Sequence, residues 1–398
     1  MTQPTSKPSR FRRTATWIES HLSEEALLVS LALITGILAG VGATLLKQMI
    51  DWVARHFTGH LFTAGPNWQL LLIPLAGILL ASIFQRYILH RELFHGVDRM
   101  RGLLSSHTYN MSPGLMITPL LANTLTLGFG GSAGSEGPIA YTGGAIGSNI
   151  GRAFRLSPDK MMVMIACGAS AGIAGIFKAP VGGALFSLEV LNLSLTLIPV
   201  VAVLVASLSA GLTVFLLSGC TPDVEFAHQV PMELSWLPWL VLLGLFCGFY
   251  SVYYCTVMSR MSRFYMRLRN HWVRNLIAGG LLAVMIFLFP ALYGEGYGFI
   301  ELVLSGHAGA VTNSSLFTHV TGVWPILLIF AGMLAVKAFV VASTNSGGGV
   351  AGDFVGAFGN TDAFVGLPWG SLVALVFTII YLILSLIHIS EPTRLGMI

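Results

Sequence analysis

An all-α polytopic membrane protein is the fold class the sequence predicts, and three observations predict it. Hydrophobic residues make up 55% of the 398-residue chain and charged residues 10%, against about 25% charged in an ordinary soluble domain. From Glu25 onward, apolar runs long enough to cross a hydrocarbon core of about 30 Å follow one another closely. Between them lie glycine-rich interruptions, the most developed being GFGGSAGSEGPIAYTGGAIGSNIG from Gly128 to Gly151. Interruptions at membrane depth persist only where they line a site.

Residues 1–24 read as a cytoplasmic segment without the apolar core of a signal peptide. The net charge is +4, concentrated in Lys7, Arg10, Arg12 and Arg13 and again between Arg260 and Arg274. Both clusters flank apolar runs, so they read as cytoplasmic anchors under the positive-inside bias; no nucleic-acid partner is expected. Cys167, Cys220, Cys247 and Cys255 have no metal-ligand spacing and read as packing residues, with no metal or cofactor expected.

The first membrane half spans 25–218. Glu25–Met49 is its first span and Trp68–Leu89 its second, with Trp68 and Tyr87 placed as interfacial anchors. His90–Ser112 is polar, and Pro113–Gly130 leads back into apolar sequence. Met161–Phe177 is a short helix rich in small residues, suited to close packing. Phe177–Val190 (FKAPVGGALFSLEV) is a second short helix, opened by Pro180, and Ser194–Ser218 spans.

A polar loop, 219–235, separates the second half, 236–383. There Trp236–Met258, Asn275–Leu292 and Val323–Ala342 span, LYGEGYGFIELVL intervenes at Leu292, and STNSGGGVAGDF (Ser343–Phe354) is a third glycine-rich interruption. Gly370–Ile387 is the last apolar run. Each half has long spans, a polar break containing glycine (Gly96–Gly102; Gly294–Gly298) and then a glycine-rich broken helix (Gly130–Pro138; Gly347–Phe354). That is the pattern of an inverted repeat.

Glu136 is a carboxylate in a stretch that otherwise avoids charge. Pro138 predicts a helix start, and roughly 13 residues to Gly151 give about 20 Å, a half-helix too short to span. Its N-terminal N–H groups and positive dipole end are suited to an anion, and an intramembrane Glu there is a functional candidate. The alternative is a Glu that caps its own helix. Gly130–Gly134 (GGSAG) also fits G-x-S-x-G, the frame of a nucleophilic serine at Ser132, which requires a His base within reach.

Together these stretches resemble the CLC family of chloride channels and proton-coupled anion transporters. GSEGPIAYTGGAIGSNIG is similar to its GxEGP signature, GIFKAPVGGALFSLEV to its GxFxxPxxGxxFxxE helix, and GGGVAGDF to its GGxF loop. YGEGY resembles the second-half counterpart of its first anion loop. The resemblance implies a multi-pass protein of the inner or plasma membrane, N-terminus cytoplasmic. It further implies a CLC-like inverted repeat of tilted and broken helices, a homodimer embedded in lipid, and one pathway per subunit for chloride or a similar small anion. Such a protein is not an enzyme.

By resemblance, Glu136 is the gating glutamate, flanked by Gly134, Ser135 and Gly137 as anion-site backbone; Ser135 stands where many members carry Arg. Asp353 and Phe354 match the second anion loop, with the Asp353 side chain expected to point away from the ion. In the first anion loop His95 takes the place of the family's serine, Gly96 is retained and Asp98 replaces a Pro. His95 either donates N–H to the anion or is a solvated interfacial side chain. Pro180, Glu189 and Val190 belong to the second signature helix. Val190 stands where coupled transporters carry a proton-relaying glutamate, which implies a channel-like pathway. The alternative is proton-coupled exchange through Glu136. Glu189 itself is expected to cap or to form an ion pair. Tyr381 lies in the last apolar run without the family's tyrosine motif. Residues 384–398 (LSLIHISEPTRLGMI) read as translated sequencing adapter, which would leave the second half incomplete.

Overall fold

The computed structural model describes residues 23–58, 67–89, 102–103, 109–191, 196–219, 234–305, 316–317 and 322–350. Every regular element among them is helical, and seven helices are long and apolar enough to cross a membrane. The described residues fall into two compact units. One is drawn from Met1–Trp52, Leu89–Thr124 and Ser135–Thr221; the other from Val53–Ile88, Leu125–Gly134 and Pro222–Ile398.

In chain order the helices are α1 (Glu24–Val53), α2 (Ile73–Ile83), α3 (Thr118–Gly128), α4 (Glu136–Ala153), α5 (Pro158–Phe177) and α6 (Pro180–Val190). They continue as α7 (Leu197–Ser218), α8 (Leu237–Arg267), α9 (His271–Leu288), α10 (Tyr297–Leu304) and α11 (Val323–Ser346). Short π-helical turns, Ala54–Thr58 and Phe84–Leu89, extend α1 and α2.

Small residues organise the first unit. A Cβ on Gly143 of α4 would lie 2.0 Å from the Gly168 carbonyl oxygen of α5, and one on Gly168 would lie 1.9 Å from Gly143 O. The two backbones therefore touch where no side chain fits, the contact that small residues allow in a membrane. The same holds between α1 and α7, where a Cβ on Gly40 would lie 2.8 Å from Ala210 O. Ser187 of α6 donates to Ala166 O of α5 (3.1 Å), and Ser170 of α5 pairs with Ser207 of α7. Near the chain's first described residues, Lys160 at the start of α5 forms an ion pair with Glu24.

The second unit packs Leu282 and Ile286 of α9 with Leu70, Ile78 and Val340 in one apolar core. Phenols tie α8 to α11: Tyr250 donates to Leu334 O (2.8 Å), and Tyr265 and Ser343 share a hydrogen bond of 2.9 Å. These bonds matter because membrane helices gain no hydrophobic drive toward one another.

Several helix lengths differ from the sequence expectation. α4 has 18 residues, about 27 Å at 1.5 Å per residue, so it is nearly a full span rather than a half-helix. It begins at Glu136, two residues before Pro138, and runs through Gly151, which packs against the side chain of Met161 of α5. α5 likewise has 20 residues from Pro158. The third interruption starts at Gly347, because α11 continues through Ser346. α6, at 11 residues, is as short as its sequence predicts.

Candidate functional site

In the first unit the site is the start of α4. Ser135 is its N-cap and is 2% exposed, without a side-chain capping bond; Glu136 is the first helical residue and half-buried. Gly137, Pro138 and the residues through Ser148 are buried. The first-turn N–H groups have no acceptor within the helix, and Pro138 has none to satisfy, so the turn presents amides and a positive dipole end beside the carboxylate. An anion at this turn meets a matched field, and a Glu136 carboxylate competes for it.

α6 places Pro180 at its first turn and Val190 as its last residue. Glu189 is exposed, and the expected cap or ion pair is not found among the described residues. His95, Gly96, Asp98, Asp353, Phe354 and Tyr381 lie outside the described residues.

The second unit holds two glycine-rich loops, Gly130–Gly134 after α3 and Gly347–Val350 after α11, and they share one design. Thr126 and Thr344 sit in the last turn of their helices. In each case the glycine five residues on donates back to the Thr carbonyl, Gly131 N to Thr126 O at 2.8 Å and Gly349 N to Thr344 O at 3.0 Å. The glycine before it takes a left-handed turn, with φ 95° at Gly130 and 107° at Gly348, a conformation costly for any residue with a Cβ. The residue after it donates across to the other helix. Ser132 N reaches Thr344 Oγ1 (3.1 Å), and Val350 N reaches Thr126 Oγ1 (2.9 Å).

Further bonds hold these loops. Gln85, buried, donates from Nε2 to Gly348 O (2.8 Å). Asn275 of α9, oriented to accept from Ser82 Oγ, donates to Gly347 O (2.7 Å). Tyr293 of the YGEGY stretch donates to Gly128 O (3.2 Å), and its ring fills the space where a Cβ on Gly130 would lie.

Lys337 of α11 donates from Nζ to Ser132 Oγ at 3.0 Å. It is the one charged residue of Val323–Ser346, and a cation inside a spanning helix marks a functional position. Its isolation in an apolar run is a signal visible in the sequence. Thr126 and Thr344 were signalled by the spacing T-x3-G-G that recurs at both loops. The His base that the serine-nucleophile frame requires is not the group bonded to Ser132: Lys337 donates to its Oγ, its N–H is engaged by Thr344, and full burial closes it to a substrate.

The model of the family described as voltage gated chloride channel matches residues 77–386. A voltage-gated ClC-type chloride channel ClcB of Citrobacter koseri is 26% identical over 355 residues, covering 86% of this chain and 79% of that protein. The H(+)/Cl(-) exchange transporter ClcA of Vibrio cholerae is 26% identical over 295 residues; the alignment covers 70% of this chain and 63% of the transporter's length. Among solved structures, a CLC-type fluoride/proton antiporter superposes with a TM-score of 0.63 at 22% identity, covering 89% of this chain and 80% of its own. A slow cyanobacterial Cl−/H+ antiporter gives 0.64 at 18% identity, covering 94% and 82%. At these identities the superpositions establish the shared fold.

Proposed function

The chain belongs to the voltage-gated chloride channel (CLC) family, and on that premise we propose that it carries chloride-type anions across a membrane with Glu136 as the gate. The observation that carries this reading is Glu136 at the first turn of the buried helix α4, where amides without an intrahelical acceptor and a carboxylate share one position. When the carboxylate occupies the turn, the anion is excluded; when it swings away or is protonated, the anion takes its place. Gly134, Ser135 and Gly137 supply the surrounding backbone. By resemblance, His95 and Gly96 on one side and Asp353 and Phe354 on the other complete the pathway. Lys337 supplies positive charge near the loop that leads to Glu136, in a chain where Ser135 stands in place of the family's common Arg.

Passive conduction is the first reading, supported by Val190, an aliphatic side chain that relays no proton. Proton-coupled exchange is the second, supported by the similarity to the H(+)/Cl(-) exchange transporter ClcA and to the solved antiporters. The protein functions as a homodimer with its N-terminus cytoplasmic. The exposed leucine stripe Leu208, Leu212 and Leu216 of α7 faces lipid or the second copy. The halves 25–218 and 236–383 are its two inverted repeats.

The deciding experiment reconstitutes the chain in liposomes under a chloride gradient and records chloride and internal pH together. Passive conduction predicts chloride efflux with no uphill proton movement. Proton movement against its gradient, abolished by Glu136→Ala, would establish exchange instead. No anion flux from folded protein would sink both readings.

A further inference from the structure

We propose that Thr126 and Thr344 form a reciprocal clasp that sets the two glycine-rich loops as one unit, making both threonines positioning residues for anion binding. The bonds run crosswise. Thr126 ends the helix before the first loop and accepts Val350 N of the second, at 2.9 Å; Thr344 ends the helix before the second and accepts Ser132 N of the first, at 3.1 Å. Each acceptor stands six residues before the donor of its own loop, Thr126 to Ser132 and Thr344 to Val350. The arrangement therefore maps onto itself when the two segments are exchanged. That is the local signature of a twofold repeat, with the axis passing between the two hydroxyls.

The geometry leaves little slack. Thr344 Oγ1 sends its own proton to Val340 O (3.0 Å), which keeps its lone pairs turned toward Ser132 N. A Cβ on Gly131 would meet Thr126 O at 2.7 Å, and one on Gly349 would meet Thr344 O at 2.6 Å and Thr126 Cγ2 at 2.9 Å. Both helix ends and both loops are thus pressed together with no room for side chains. Thr126, Thr344 and Ser132 are all buried, so water does not compete for these bonds. Because each loop hangs on the helix that feeds the other, displacing one displaces both. Ser132 also holds Lys337, so the cation rides on the same clasp.

The functional consequence rests on the anion-pathway reading above. Ser132 lies four residues before Glu136, and Val350 lies three before Asp353. The clasp therefore fixes where the chain starts toward each proposed anion-binding segment. It is a device for holding the starts of two backbone segments in one register.

The test compares Thr126→Val and Thr344→Val, which keep shape and remove the acceptor, with Thr126→Ser and Thr344→Ser, which keep it. In liposomes, each Val variant is expected to weaken apparent chloride affinity about tenfold, the equivalent of one lost hydrogen bond, and to flatten the chloride-to-fluoride flux ratio. The Ser variants restore both. The double Val variant is expected to be little worse than either single, as for residues acting as one unit.

Amide exchange on the full chain in detergent supplies a readout independent of transport. Thr126→Val should speed exchange in 130–134 as well as in 347–350, and Thr344→Val should do the same. Exchange that rises only in the loop whose own acceptor was removed, or Val variants with unchanged affinity and flux ratio, would overturn the clasp. Absence of anion flux in the wild-type chain would instead remove the anion-pathway reading, and the exchange data would still decide whether the loops move together.

Discussion

Lys337 and Ser132, 205 positions apart, meet in a hydrogen bond of 3.0 Å from Nζ to Oγ. The bond puts the one charged group of a 24-residue apolar helix against the loop that runs into Glu136. A cation so placed raises the local concentration of anions, and clefts of one sign speed the entry of their counter-ions by about tenfold or more.

Lys337→Met is therefore expected to reduce chloride flux about tenfold at low salt, with the deficit shrinking as ionic strength rises. Lys337→Arg should retain most of the flux. Initial rates in liposomes at two salt concentrations decide it: a salt-independent loss would indicate collapse of the loop instead of a lost field.

If Glu136 is the gate proposed above, it sets the sign of the pH response: a deprotonated carboxylate competes with the anion for the first turn of α4, and a protonated one does not. Chloride flux is expected to rise as pH falls, and Glu136→Gln, which cannot ionise, should show high flux at every pH. A Gln variant that keeps the wild-type pH profile would move the gate elsewhere.

Much of this architecture is legible in the sequence, and the limits have physical causes. Six of the seven spans are legible because a run of apolar residues has few other fates, whereas the small residues of Met161–Phe177 make α5 read as a short packing helix. Glu136 is legible because charge is costly at membrane depth, and the same reasoning applied to Lys337 would have found it. α4 is longer than its sequence suggests because it starts ahead of Pro138 and continues past Gly151, a residue that reads as a stop in isolation but packs against Met161 inside the helix. The T-x3-G-G repeat is visible in the sequence, but nothing in one dimension says that Thr126 bonds Val350, 224 residues away, and not its own loop. Glu189 shows the converse. A carboxylate near a helix end is readily expected to find a partner, and its exposure on α6 leaves it none among the described residues.

The contact between α4 and α5 separates two kinds of glycine. Gly143→Ala drives a Cβ to 2.0 Å from the Gly168 carbonyl, a backbone atom that cannot swing aside. Its destabilisation should reach about 3 kcal/mol, the upper end for overpacking. Gly248 of α8 has nothing within 4 Å of the corresponding position, and Gly248→Ala should stabilise its helix by up to about 1 kcal/mol. Thermal melts of the two variants in one detergent should move in opposite directions.

Asn123 of α3 poses the sharpest question of stability. It is fully buried, and neither its oxygen nor its nitrogen has a hydrogen-bond partner among the described residues. An amide desolvated without a partner costs about 1–3 kcal/mol, and replacing it by an apolar group of like shape removes that cost. Leucine keeps asparagine's branching but is bulkier, so the rise in melting temperature expected of Asn123→Leu is the released desolvation cost less the cost of overpacking. The comparison with Asn123→Ala isolates the cause. Alanine also removes the unpaired amide but leaves a cavity, so it should gain less than leucine or lose stability outright. If both variants were equally destabilised, the amide would have to be making bonds in the membrane-embedded protein, to water or to a permeating ion. Chloride flux through Asn123→Leu would then distinguish the two, since loss of an ion contact lowers flux and loss of a structural water does not.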